Sequence, residues 1–215
     1  MNKTQLTNFI TKYTLGGEIK STKWTSNGDS LSTRFISGDK SVVGSVVLSK
    51  FNHLSPCELG VYNTGQLSSL LSVLGDDIEV NLSESGDKFI SMEFEDTKRK
   101  TKSKYMLSDL SVIPTPPELK NLPDSFELGI KVDPYFVNTF ISGKGALSEA
   151  ETFTILTEGG ETKIVIGYAS IASNRVTIPV ETTKQTDIEP ISFNANMFAS
   201  ILNANKDCEK ATLEV

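Results

Sequence analysis

The sequence predicts an α+β chain in two similar halves, each with antiparallel strands and a pair of helices. Three observations predict it. Four short segments carry helical apolar spacing. Nearly everything between them reads as short strands separated by Gly-centred turns. A proline-dense stretch, 109–124, lies near mid-chain. Antiparallel strands with one buried face give such alternating or short apolar runs.

The first helix covers Lys3 to Thr14, with Leu6, Phe9, Ile10 and Tyr13 at i, i+3, i+4 and i+7. The second covers Asn63 to Leu74, with Leu67, Leu70, Leu71 and Leu74 in the same spacing. The third opens at Asp133-Pro134, an N-cap with proline at the first helical position, and carries Phe136, Val137, Phe140 and Ile141. The fourth opens at Asn194 and carries Met197, Phe198, Ile201 and Leu202. Gly16-Gly17, Gly75 and Gly143 mark the expected ends of the first three. Asn27-Gly28-Asp29, Ser37-Gly38-Asp39, Ser85-Gly86-Asp87 and Glu158-Gly159-Gly160-Glu161 are hairpin signals. Runs such as Ser41–Leu48, Lys88–Phe94, Thr152–Leu156 and Lys163–Tyr168 are the strands.

Pro114, Pro116, Pro117 and Pro123 exclude a helix or central strand in the middle of the chain. The expected organisation is a first domain 1–108, a connector 109–124 and a second domain 125–215. Helices recur at about 60-residue spacing within each half, as a duplicated fold leaves behind. The second half has fewer residues after its last helix. Its strand-like end, Ala211–Val215, therefore predicts a partnerless strand and a natural protein about 20 residues longer.

With 215 residues, 22% of them charged, the chain suffices for a folded core and lacks the composition of a disordered one. No apolar run approaches the ~18 residues needed to cross a bilayer, and the N-terminus has no signal-peptide h-region. The expectation is a soluble intracellular protein without a membrane partner. A net charge of -6 argues against whole-surface nucleic-acid binding, not against one local face.

That local face is marked by an absence. None of the 27 acids falls in a predicted helix, where average density would place about six. The polar helix faces are Gln, Asn, Ser and Thr, with Lys3, Lys12, Lys144 and Lys206 as the only charges. Exposed helix faces are ordinarily rich in Glu. A neighbouring polyanion would repel carboxylates and explain the depletion. Chance and choice of boundary are the alternative, since Asp133 and Asp207 lie just outside.

Other motifs carry less. Lys98-Arg99-Lys100-Thr101-Lys102-Ser103-Lys104 reads as a solvated or edge-protecting hairpin, or as a nucleic-acid patch. His53 is the only histidine and has no Gly-x-Ser-x-Gly elbow beside it, so a small hydrolase is only formally open. Cys57 and Cys208 lack the spacing of a zinc site. Asp76-Asp77 more simply begins a strand than binds a cation. Gly143-Lys144-Gly145 is not a P-loop. The reading is a non-enzyme without metal or cofactor.

The block Val61-Tyr62-Asn63-Thr64-Gly65-Gln66-Leu67-Ser68-Ser69-Leu70-Leu71-Ser72-Val73-Leu74-Gly75-Asp76-Asp77-Ile78-Glu79-Val80, followed by the acidic turn Ser83-Glu84-Ser85-Gly86-Asp87, resembles the strand–helix–strand block of sliding clamps. These are the DNA polymerase processivity factors, and the similarity is greatest to those of large tailed bacteriophages. Element order extends the resemblance weakly over the whole chain. The chain departs in its less basic third helix, its proline-rich connector and its short C-terminal end.

The resemblance implies a head-to-tail homotrimeric ring around double-stranded DNA, loaded by a clamp loader and tethering a DNA polymerase in the cytoplasm of an infected host cell. It implies two clamp-type domains with sheets outside and helices inside. Lys3, Lys12, Lys144 and Lys206, with Lys20 and Arg34 from adjacent strands, would then face DNA. Subunits would join at the edge strands Ser103–Asp109 and Asn174–Val180, with Tyr105, Met106 and Leu107 facing Val176, Ile178 and Val180. Leu110, Val112, Ile113 and Leu122 would line a pocket for partner peptides, with core packing as the other reading of the same residues. Outside the resemblance, the alternative function is a β-rich structural virion assembly protein.

Overall fold

The computed structural model describes residues 1–118, 123, 125–169, 171 and 173–215. It is α+β, with four helices and antiparallel sheets among the described residues. The chain divides into two compact units, Met1–Glu118 and Leu119–Val215, and the division falls inside the proline-rich segment.

In unit 1, α1 (Lys3–Thr14) starts because the Asn2 side chain accepts the Thr4 N–H, and ends at Leu15, which is left-handed at φ 47. Its four apolar residues at helical spacing are all buried. They pack on a sheet of β1 (Thr22–Ser26), β2 (Ser30–Ile36), β3 (Val43–Ser49) and β4 (Cys57–Val61) in the order β3-β2-β1-β4. Alternation places Trp24, Leu31 and Phe35 inward, with Trp24 edge-on to Phe9 and Tyr13 of α1. The Trp24 Nε1–H donates to the Tyr13 hydroxyl at 3.2 Å, and Tyr13 reaches Thr64 Oγ1 at 3.4 Å. Helix α2 (Thr64–Ser72) begins on the Asn63 side chain. A second sheet follows, β5 (Ile78–Ser85), β6 (Lys88–Asp96) and β7 (Lys102–Met106) in that order. Buried Asp96 ties this sheet to the end of α2 by accepting from the N–H groups of Gly75, Lys98 and Arg99 at 2.7–2.8 Å.

Unit 2 opens with β8 (Gly129–Val132) and α3 (Pro134–Ala146), capped by Asp133. Then come β9 (Thr152–Glu158), β10 (Glu161–Ile166), β11 (Val176–Pro179), β12 (Thr182–Lys184), β13 (Ile191–Asn194), α4 (Ala195–Ala204) and β14 (Ala211–Glu214). The sheets are ordered β11-β10-β9-β13 and β12-β8-β14. Phe140 meets Phe153 and Phe198 edge-to-face at 5.1 and 4.9 Å, forming a core of aromatic and branched side chains.

The two units share a strand order. In each, the first three strands after the first helix run outward in sequence, and the strand before the second helix pairs with the first of them. The short segment before α1 pairs with the start of β5: the Met1 amine donates to Ile78 O at 2.6 Å, and Ile78 N–H donates back to Met1 O at 3.0 Å. In unit 2 the same pairing is β8 with β14.

Two expectations are corrected here. The C-terminal strand is not partnerless, since Leu213 lies opposite Ile130 and Val215 exchanges backbone hydrogen bonds with Leu128. Gly143 does not end α3. It is buried within it, and a Cβ there would sit 3.0 Å from Val176 and 3.2 Å from Ile166, so the glycine permits close helix–sheet contact.

Candidate nucleic-acid interface

The helices as formed hold no Asp or Glu at all. In unit 1 the exposed positions include Gln5, Thr7, Asn8, Thr11, Gln66, Ser69 and Ser72; in unit 2 they include Asn138, Ser142, Asn196 and Asn203. Apolar side chains from the opposite stripe of each helix are buried in its own unit. Each unit therefore presents a carboxylate-free polar helix surface.

The six cations expected there are placed unequally. Lys3 is half-buried and its ammonium donates to the Leu74 carbonyl, closing the end of α2. Lys12 is half-buried on α1. Lys20 is exposed, and its carbonyl holds the start of α2 by accepting from Thr64 N–H at 3.0 Å. It lies before β1, not on a strand. Lys206 is exposed in the turn beyond α4, not on the helix.

The other two are corrections. Lys144 is buried, with its ammonium donating to Ser148 O at 2.8 Å, so it closes the end of α3 and is not a surface cation. Arg34 lies on the opposite face of its sheet from α1. Thr33 and Phe35 on either side point into the core, which turns Arg34 outward, where it donates to the Pro117 carbonyl. Its cross-strand neighbour Lys23 reaches Thr115 Oγ1 at 3.2 Å. This clasp on the described part of the connector was missed from sequence, although the period-2 alternation around Trp24 and Thr33 carries the signal.

The expected subunit-contact side chains are corrected in the same way. Both β7 and β11 are edge strands. Yet Tyr105 is buried and its hydroxyl accepts from Asn63 N–H at 3.0 Å, and Ile178 is buried in the core of unit 2. Val176 and Val180 pack partly against that core. Met106 points outward at 59% exposure, and Leu107 is half-buried. Both edges thus offer backbone and only part of the expected side-chain set.

Of the expected peptide-pocket residues, Leu110 lines a cavity of about 410 Å³ with Phe89, Ile90 and Leu107. Val112 is exposed, and Ile113 is buried over Gly60. Leu122 lies outside the described residues. Lys88 and Asp109 pair at 2.5 Å at the cavity, and that ammonium, with the Ser111 N–H and hydroxyl, holds the Asp109 carboxyl well below its usual range.

The basic run forms the β6–β7 hairpin, and its charges are largely matched. Lys98 pairs with Asp77, Lys100 and Lys102 with Glu95, and Lys104 with Glu93, at 2.8–3.5 Å. His53 is exposed and edge-on to Phe51; desolvation pushes its pKa down. Cys57 and Cys208 are both free thiols, and burial pushes the Cys57 thiol up. Among the described residues no group of three His, Cys, Asp or Glu could hold a metal ion, and no helix is long and apolar enough to cross a membrane. Neither a protein-family model nor a curated protein matches this chain.

Proposed function

We propose that this chain is the protomer of a sliding clamp, a ring that encloses duplex DNA and tethers a DNA polymerase during synthesis. One observation carries the reading: two units of the same strand order each lay a helix pair wholly free of carboxylates over a sheet, in a protein of net charge -6. Duplex DNA is the polyanion beside which such a surface is favoured.

In this reading the units are clamp-type domains, with the helix pairs turned toward the duplex and the sheets outside. Enclosure does the holding, so contacts to phosphate stay weak and independent of sequence, many of them through water. Strong contacts would oppose sliding, and the small number of cations on the helices suits that need. Protomers join head to tail into a homotrimer by backbone pairing of the β7 and β11 edges, which also covers two exposed edges. The cavity beside Leu110 receives a peptide of the polymerase or the clamp loader. The ring acts in the cytoplasm of an infected host cell.

The test is to load the protein with a matching clamp loader onto circular DNA and then linearise the circle. Enclosure gives retention on the circle and loss through the free ends. Equal retention on both forms would overturn the reading.

A further inference from the structure

The two units differ in what stands beside the second helix. In unit 1 the β6–β7 hairpin fills that place. β6 pairs with β5, and Ser108, just past β7, donates its N–H to Gly60 O of β4 at 2.9 Å. Met92 and Tyr105 lie opposite each other in the hairpin and are buried, as is Phe94, and the Tyr105 hydroxyl holds the N-cap of α2. Leu59 and Val61 of β4, opposite buried Trp24 and Thr22, are at most 1% exposed.

Unit 2 has the two flanking strands and, among the described residues, no strand between them. β14, which follows the second helix as β5 does, pairs there only with β8; β13, which precedes it as β4 does, pairs only with β9. Val215 and Leu128 exchange backbone hydrogen bonds, so the alternation of an antiparallel ladder turns the N–H and C=O of Thr212 and Glu214 to the free edge of β14. Ile191 and Phe193 of β13 lie opposite buried Ile155 and Phe153, yet are 39% and 37% exposed. Phe198 and Ile201 of α4 are half-buried and, with Leu213 of β14, line an apolar groove of about 420 Å³.

A free strand edge beside an apolar helix flank takes up an extended chain by backbone pairing, with alternate side chains seated on the flank. Unit 1 shows the form of the occupant: two strands wide, with large apolar side chains at alternate positions toward the helix. The chain has no such hairpin to spare, because its own β6–β7 is built into unit 1. We propose that unit 2 binds a β-hairpin of a partner protein in this gap. One strand pairs antiparallel with the free edge of β14, the other lies toward β13, and apolar side chains at alternate positions seat on Phe198 and Ile201. The proposal uses unit 2 alone and stands without the clamp reading.

The test titrates the whole chain with a synthetic peptide of residues 88–106, the sequence that does this work in unit 1, against a shuffled peptide of the same composition. The parent sequence should bind saturably and slow hydrogen exchange of the Thr212 and Glu214 amides; the shuffled one should do neither. Thr212→Pro removes a donor that β8 does not use and should weaken binding about tenfold, with the Leu128 and Val215 amides still protected. Ile201→Ala, at a half-buried position, should weaken it severalfold without relying on the proline. Absence of binding, binding unchanged in both variants, or protection gained at the β7 or β11 edge instead overturns the proposal. Protection of Thr212 and Glu214 in the protein alone, rising with its concentration, would assign the gap to a second copy and also overturn it.

Discussion

Unit 1 seals its helix pair and unit 2 leaves its pair open. Eleven residues past the second-helix N-cap stands Leu74 in unit 1, buried, and Asn205 in unit 2. The first helical residue is Lys3 in unit 1, reaching across to the Leu74 carbonyl, and Pro134 in unit 2. A groove of about 420 Å³ lined by Pro134, Val137, Phe198, Ile201 and Asn205 results in unit 2. The same offset from the first-helix N-cap gives Tyr13 in one unit and Lys144 in the other. Both are buried and both have their polar tip satisfied, one by Trp24 and Thr64, the other by a backbone carbonyl. One strand order thus tolerates different core chemistry, provided each buried polar atom finds a partner.

The comparison breaks hardest in the apolar core. Phe140→Ala removes the ring that joins α3 to Phe153 and Phe198, and should destabilise unit 2 by about 3–5 kcal/mol in chemical denaturation. Unit 1 should respond less if the units unfold separately, and hydrogen exchange resolved by peptide separates the two. A single shared loss would show that they unfold as one. Ile178→Asp is not a usable probe of the β11 edge. A carboxylate at that buried position unfolds unit 2, so loss of assembly in that variant would say nothing about the β11 edge. Charges at exposed Thr177 are the cleaner probe of that edge.

A sharper contrast lies at the paired positions. Tyr13→Phe leaves the buried Trp24 N–H without its acceptor and should cost about 1–2 kcal/mol. Lys144→Met keeps the apolar stem and removes the ammonium and its one hydrogen bond, so its effect should stay within about 1 kcal/mol. Lys144→Met should also leave retention on circular DNA unchanged. A fall in retention would return Lys144 to the DNA-facing set and undo its assignment as a helix-end clasp.

The helices and hairpins were legible because their signals are local: apolar spacing, Asn and Asp N-caps, and Gly turns such as Gly28 and Gly86 with positive φ. The carboxylate-free faces were legible because an absence survives small errors of boundary. Side-chain destinations were not. Lysine spacing cannot tell a solvated ammonium from one folded onto a carbonyl four residues on, just past the helix end, as at Lys144. For Tyr105 and Ile178 strand identity is legible, while the facing side of each residue depends on register. The pairing of β14 with β8 joins segments some 80 residues apart, beyond any local pattern.

The smallest effect expected is on acid stability, and it too should divide the molecule. Six carboxylates of unit 1, Asp39, Asp77, Glu93, Glu95, Asp96 and Asp109, are held below their ordinary values. The Ser37 hydroxyl, with the Ser41 N–H and hydroxyl, draws Asp39 to about 2 from 3.8. Asp96 is lowered chiefly by the Arg99 N–H and Asp77 by Lys98. A group depressed on folding binds its proton more tightly in the unfolded chain, so its stabilisation is complete above about pH 5 and is lost as pH falls through the folded value. Acidification from pH 5 toward 2 should therefore lower hydrogen-exchange protection in β5, β6 and β7 before it does so in β9 and β10. All but the buried Asp96 lie near the surface, where solvent screens them, so the shift should be gradual and should shrink as salt is raised. Protection lost first in unit 2 would mean that its core, and not the charge network of unit 1, sets the acid limit of the chain.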